Sequence, residues 1–244
     1  MKLSKTLQGL VADSVSLLGD AIKEEFGTKV YNSIESSRQR MKTMRGLSPR
    51  HWASGVETLN SEYKKLSKLS DSDLHAYAHS FAVMLELINK CESAYRDFRL
   101  KEKKITSSKK KPYAIIFVLT AHPTEARRPE CLAIFNLIRN ELIQALNGES
   151  NKKRLLYLIR MALKIPMARD EKPTVLDEAN HIFSFALRPE MIDLYASFRE
   201  EDLTVMLRTW VGGDKDGHPG VNEKTLIEVL DLSRKYFCHY TELK

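Results

Sequence analysis

The sequence predicts a mostly α-helical protein carrying two buried, parallel β-strands, and three observations predict it. Glycine and proline are scarce, at 10 and 8 of 244 residues, which favours long helices over tight turns. Apolar residues recur at spacings of three and four over most of the chain, the mark of helices with one buried stripe. Two short apolar runs, residues 113–121 and 203–210, break that period. The first, YAIIFVLTA, is nearly continuous and rich in β-branched residues, as in a strand covered by helices on both faces.

The elements follow in order. Leu3, Leu7, Leu10, Val11, Val15, Leu18 and Ile22 give an amphipathic helix over 3–24, and Gly27 stops it. Residues 28–44 form a second helix with a basic polar side. Ser48 and Pro49 read as N-cap and first-turn proline of a helix to about Leu66. The run Ser70-Asp71-Ser72-Asp73 opens a long helix to about Phe98. These four helices form an N-terminal helical region, 1–100. A lysine-rich loop, 101–112, separates it from the first strand. The strand ends abruptly in His-Pro-Thr-Glu and is followed by helices over 131–146 and 151–164. After a proline-bounded loop, 166–173, Asp177 and Glu178 open one helix to about Arg199. The second strand breaks into a glycine-rich loop, 212–220, and a last helix starts near Asn222. There is no internal repeat. Two strands make neither a closed barrel nor a typical sheet. A chain that stops in mid-helix after its second buried strand therefore reads as a fragment.

Composition excludes several classes. Apolar residues at 43% and charged residues at 29% describe a globular chain rather than a disordered one. No apolar run is long enough to span a bilayer, and no cleavable leader is evident. Cys91, Cys131 and Cys238 are odd in number and widely spaced, which suits packed thiols in a reducing, cytoplasmic compartment. The formal charge of +7 owes much to the run Lys101–Lys111. No aromatic residue interleaves with those lysines, so the run reads as a solvated loop and not a nucleic-acid-binding surface.

Both strands end in polar loops, and in parallel α/β architectures such strand ends carry the chemistry. The first loop offers Thr120, His122, Thr124, Glu125, Arg127 and Arg128; the second offers Trp210, Asp214, Lys215, Asp216 and His218 between glycines. Histidine exchanges protons near neutral pH, and arginine presents a planar fork to phosphate or carboxylate oxygens. The loop GGDKDGHPG is not a Walker loop, because no Gly-Lys-Ser/Thr follows. Nor is it a calcium loop, because Pro219 and Thr225 stand where glycine and glutamate are needed. No HExxH, CxxC or nucleophile elbow occurs.

The segment VLTAHPTEARR, Val118 to Arg128, resembles the signature of the phosphoenolpyruvate carboxylase family, and RTWVGGDKDGHPGV, Arg208 to Val221, resembles its second block. LLGDAIKEEFG near the start and the stretch Pro173–Ala179 are similar to family segments as well. The resemblance runs along the whole chain, and it implies the N-terminal part of an elaborated, mostly helical (β/α)8 barrel. Residues 113–244 would form its first two strand–loop–helix units. It implies conversion of phosphoenolpyruvate and bicarbonate into oxaloacetate and phosphate, with magnesium or manganese. The metal ligands and most phosphoenolpyruvate contacts are expected outside this segment. The family is usually a homotetramer under allosteric control. By this resemblance His122 is the catalytic histidine and Arg128 the motif arginine. Trp210 forms a hydrophobic wall, and Asp214, Lys215 and Asp216 shape the loop beside it.

Some positions depart from the family pattern. Pro129 replaces a basic or polar residue, Lys215 an arginine and His218 an asparagine. In 165–169 only Arg169 survives of Thr-Asp-Glu-x-Arg. The expected reading is an enzyme segment inactive by itself. The alternative is a naturally short, degenerate relative that acts as a binding or regulatory module.

Overall fold

A computed structural model describes residues 4–45, 52–102, 113–120, 127–199, 203–213 and 221–242. Among the described residues there are eight helices and two strands, in the order α1 (Lys5–Arg45), α2 (Trp52–Leu66), α3 (Asp71–Glu102), β1 (Ala114–Leu119), α4 (Pro129–Leu146), α5 (Lys152–Lys164), α6 (Val175–Ala186), α7 (Pro189–Arg199), β2 (Thr204–Thr209) and α8 (Glu223–Glu242). No described helix is long and apolar enough to cross a membrane. The expected Ser48–Pro49 helix start and nearly all of the lysine loop lie outside the described residues.

The chain divides into two compact units, Met1–Lys104 with Pro129–Met167, and Ile105–Arg128 with Ala168–Lys244. The packing boundary differs from the division expected at residue 113, because α4 and α5 belong with the N-terminal helices. Their apolar stripes explain it. Phe135, Ile138 and Leu142 of α4 and Leu158, Ile159 and Ala162 of α5 share one buried core with Leu18, Ala21 and Ile22 of α1 and Val83, Leu87 and Cys91 of α3.

In the first unit, α1 bends at Gly27, whose φ of 84° is open to glycine at little cost. The bend carries Tyr31 back against Gly19, where an added Cβ would lie 3.0 Å from the ring. Lys23 sits over the same ring, 4.4 Å from its centre. Glu62 of α2, 5% exposed, accepts from Ser37 Oγ at 2.5 Å and pairs with Arg40 Nε at 2.5 Å, tying α2 to α1. Arg160 and Lys164 of α5 grip Glu25 at 2.7 and 3.0 Å. His79 of α3 is buried, and its Nε2 lies 3.2 Å from the Ala162 carbonyl in the last turn of α5. A carbonyl only accepts, so Nε2 carries the proton and serves a helix-end acceptor. Burial holds the His79 pKa below the usual imidazole value.

In the second unit, β1 and β2 pair in parallel, from Ala114↔Thr204 to Leu119↔Thr209. The parallel pairing is as expected; the burial is not. Ile116, Phe117 and Val118 are 45%, 39% and 53% exposed, and the outward faces of β2 are exposed too. An apolar strand is buried on both faces only when layers cover both, and here Tyr195 of α7 meets Phe117 with 6.2 Å between rings while its neighbours stay exposed. A second core forms from Ala179, Ile182 and Phe183 of α6 and Val229 of α8, and Leu119 and Val211 pack against it. The helix expected from Asp177 to Arg199 is two helices. Pro189 lacks an N–H and disfavours helix at Arg188, so α6 closes with the Leu187 N–H on the Phe183 carbonyl and α7 starts at the proline.

Candidate active site

The candidate site is built at the C-terminal ends of β1 and β2. Because Leu119 pairs with Thr209, the chain leaves both strands at one level, through Thr120 and Trp210. Leu119 and Val211 are partly buried against the α6–α8 core, which holds both exits. After β2 the turn is tight. The Val211 N–H donates to Thr209 Oγ1 at 3.2 Å, and the Gly213 N–H donates to the Trp210 carbonyl at 2.9 Å. Gly212 has φ 80°, and a Cβ there would meet the Val229 side chain at 2.8 Å. Only glycine suits both the conformation and the space. Trp210 is 59% exposed, so its indole stands at the rim of this end without cover.

The segment returning from β1 is fastened by residues 168–170. Arg127 forms an antiparallel bridge with Ala168. The Arg169 Nε donates to the Arg127 carbonyl at 3.0 Å, and its Nη1 lies 3.8 Å from Asp177. Arg128 donates from Nε to the Ala168 carbonyl at 3.1 Å and from Nη2 to the Asp170 carboxylate. Asp177 in turn closes a capping box with Thr174 at the start of α6. Its two bonds from Thr174 hold its carboxyl below the ordinary range, and Arg169 adds to that. His181, one turn on, is held low by burial and by Arg169. Pro129, directly after Arg128, is the first residue of α4, where its missing N–H costs nothing in intrahelical bonds.

Of the residues singled out in the sequence, Trp210 directly follows β2, and Arg128 is held against residues 168–170. His122, Asp214, Lys215 and Asp216 lie outside the described residues. Asp170, which grips Arg128, was not anticipated. It sits 42 residues away in a loop without periodicity, and only tertiary folding brings the two together. Among the described residues no three His, Cys, Asp or Glu side chains converge as metal ligands.

The family model for phosphoenolpyruvate carboxylase matches residues 10–116 and 111–242. A protein of Serratia proteamaculans named phosphoenolpyruvate carboxylase is 28% identical over 268 residues, covering 91% of this chain and 29% of its own length. Those of Pectobacterium atrosepticum and Aeromonas salmonicida are also 28% identical, covering 90% and 89% of this chain. The chain thus spans under a third of the length of these relatives. With the family match running from residue 10 to residue 242, and both motif segments leaving neighbouring parallel strands at one level, the chain belongs to the phosphoenolpyruvate carboxylase family.

Proposed function

We propose that this chain supplies one part of the active site of a phosphoenolpyruvate carboxylase, with β1 and β2 as the first strands of a (β/α)8 barrel. The observation that carries the reading is the in-register parallel pairing of β1 and β2, which brings the exits of both motif segments side by side. Its chemistry runs in three steps. A bicarbonate oxygen attacks the phosphorus of phosphoenolpyruvate, and the bond from phosphorus to the enolate oxygen breaks, giving carboxyphosphate and the enolate of pyruvate. Carboxyphosphate then splits into carbon dioxide and phosphate. The enolate carbon attacks carbon dioxide, and the new carbon–carbon bond gives oxaloacetate.

His122 holds carboxyphosphate and the carbon dioxide released from it. Arg128 offers its guanidinium to the anionic groups. Trp210 walls off water, which would otherwise protonate the enolate or hydrolyse carboxyphosphate. Asp214, Lys215 and Asp216 shape the adjoining loop. In the complete enzyme magnesium or manganese would stabilise the enolate. The described residues of this chain do not fit a metal. The homotetramer, allosteric control and cytoplasmic location belong to the same proposal.

One observation favours a second reading, a binding or regulatory module whose site has decayed: the motif arginine is already occupied by a carboxylate of its own chain. Carboxylation assays separate the two. The 244-residue chain and the full product of its reading frame are given phosphoenolpyruvate, bicarbonate and magnesium, and oxaloacetate is detected by coupled reduction. Activity in the longer protein alone, lost with His122→Asn, is the expected result. No activity in either would favour the module.

A further inference from the structure

We propose that Asp170 is an internal counter-ion of Arg128 that weakens the hold of this arginine on an incoming anion. The inference rests on the reading of Arg128 as an anion ligand and adds a residue that the motif resemblance does not contain. Two contacts support it. The Nε of Arg128 is held by the Ala168 carbonyl at 3.1 Å, and the Nη2 is taken by the Asp170 carboxylate. Only Nη1 and one N–H of Nη2 are left for a ligand, three of the five donors of a guanidinium. The backbone around the pair is fixed independently, by the Arg127–Ala168 bridge and by the Arg169 bond to the Arg127 carbonyl. The guanidinium is thus held in one place while its partner stays free to leave. Asp170 is 82% exposed, against 31% for Arg128, so its carboxylate swings into water at small cost. An ion pair this exposed is weak and screened by salt, which makes it a displaceable partner and not a structural lock.

A carboxylate bound to one edge of the arginine neutralises its charge and repels an anionic oxygen arriving at the open Nη1/Nη2 edge. A dianion such as phosphate overcomes this more readily than a singly charged carboxylate does, because it presents more charge to one guanidinium. Asp170 thereby tunes the arginine toward phosphoryl-bearing ligands.

The test is binding of inorganic phosphate to the 244-residue chain, measured by calorimetric titration at low salt. Wild type is compared with Asp170→Asn, Asp170→Glu, Arg128→Gln and the double variant Arg128→Gln/Asp170→Asn, each checked for an unchanged melting temperature. Asp170→Asn is expected to bind phosphate about two- to fivefold more tightly. Asp170→Glu keeps wild-type affinity, and the gain disappears both in 0.5 M salt, where the Debye length falls to about 4 Å, and in the Arg128→Gln background. The loss in that background is what a general charge effect would not produce. Arg128-dependent binding that is unchanged or weakened by Asp170→Asn overturns the counter-ion role and leaves Arg128 as the anion ligand. Binding that is absent throughout, or indifferent to Arg128→Gln, overturns the reading of Arg128 and the proposal with it.

Discussion

At the scale of single residues, two positions combine a special environment with a measurable consequence. Gly212 turns the chain away from β2 with a positive φ, and Val229 fills the space where a side chain would go. Gly212→Ala should therefore destabilise the second unit by about 1–3 kcal/mol, from backbone strain and overpacking together. Urea unfolding followed by Trp210 fluorescence would show it, and an unchanged midpoint would mean the turn rearranges freely. His79 is buried with its proton on the Ala162 carbonyl, and its pKa is depressed. In the unfolded chain the same imidazole takes up a proton near pH 6.5, so the unfolded state binds more protons as the solution is acidified. Its contribution to stability is present above that pH and is lost as pH falls through the lower, folded value. Unfolding midpoints at pH 7.5 and 5.5 should differ less in His79→Gln than in wild type. Equal pH dependence would show that His79 does not titrate on unfolding.

At the scale of elements, caps and stripes decide where helices begin, end and dock. The Thr174–Asp177 box starts α6 and also receives Arg169, the residue that fastens the β1 return segment. Thr174→Ala should lower stability by about 0.5–2 kcal/mol, measured by thermal melting, through loss of that cap. In the first unit α4 is fastened by its apolar stripe, reinforced by Arg139, which donates to Ser93 at 3.0 Å and pairs with Asp97 of α3. Phe135 on that stripe is 1% exposed. Truncating it to alanine should cost about 3–5 kcal/mol in urea unfolding, because both its transfer energy and the cavity left behind count against the fold. A cost under about 1 kcal/mol would mean that α4 is not anchored in the shared core.

At the scale of the whole molecule, the two units differ in how well they cover their apolar surface. The first builds one continuous core from four helices. The second has a small core at the strand ends and leaves much of β1 in solvent, with Ile116 and Val118 among its exposed side chains. Exposed apolar strands with open edges associate. Sedimentation at rising protein concentration should show association by the 244-residue chain, reduced in Val118→Lys. A monomer at all concentrations would mean that the strand surface is tolerated in water.

The sequence by itself determined most of the helical segments, the two strands, their parallel relation and the family, because periodicity, turn residues and long motifs are local and survive without knowledge of the fold. The helix over 131–146 was legible from its apolar period, and α4 begins two residues earlier, at Pro129. Pro189 also sat in plain view, but the apolar pattern running across it read as one helix where the proline makes two. Arg128 and Trp210 were legible as candidate site residues because the motifs contain them. Tertiary structure alone decided three things. It assigned α4 and α5 to the N-terminal helices, since a buried stripe does not name its partner. It left the strands exposed, since burial depends on layers supplied from elsewhere. It set Asp170 against Arg128 across 42 residues, since no local period encodes an ion pair closed by a loop.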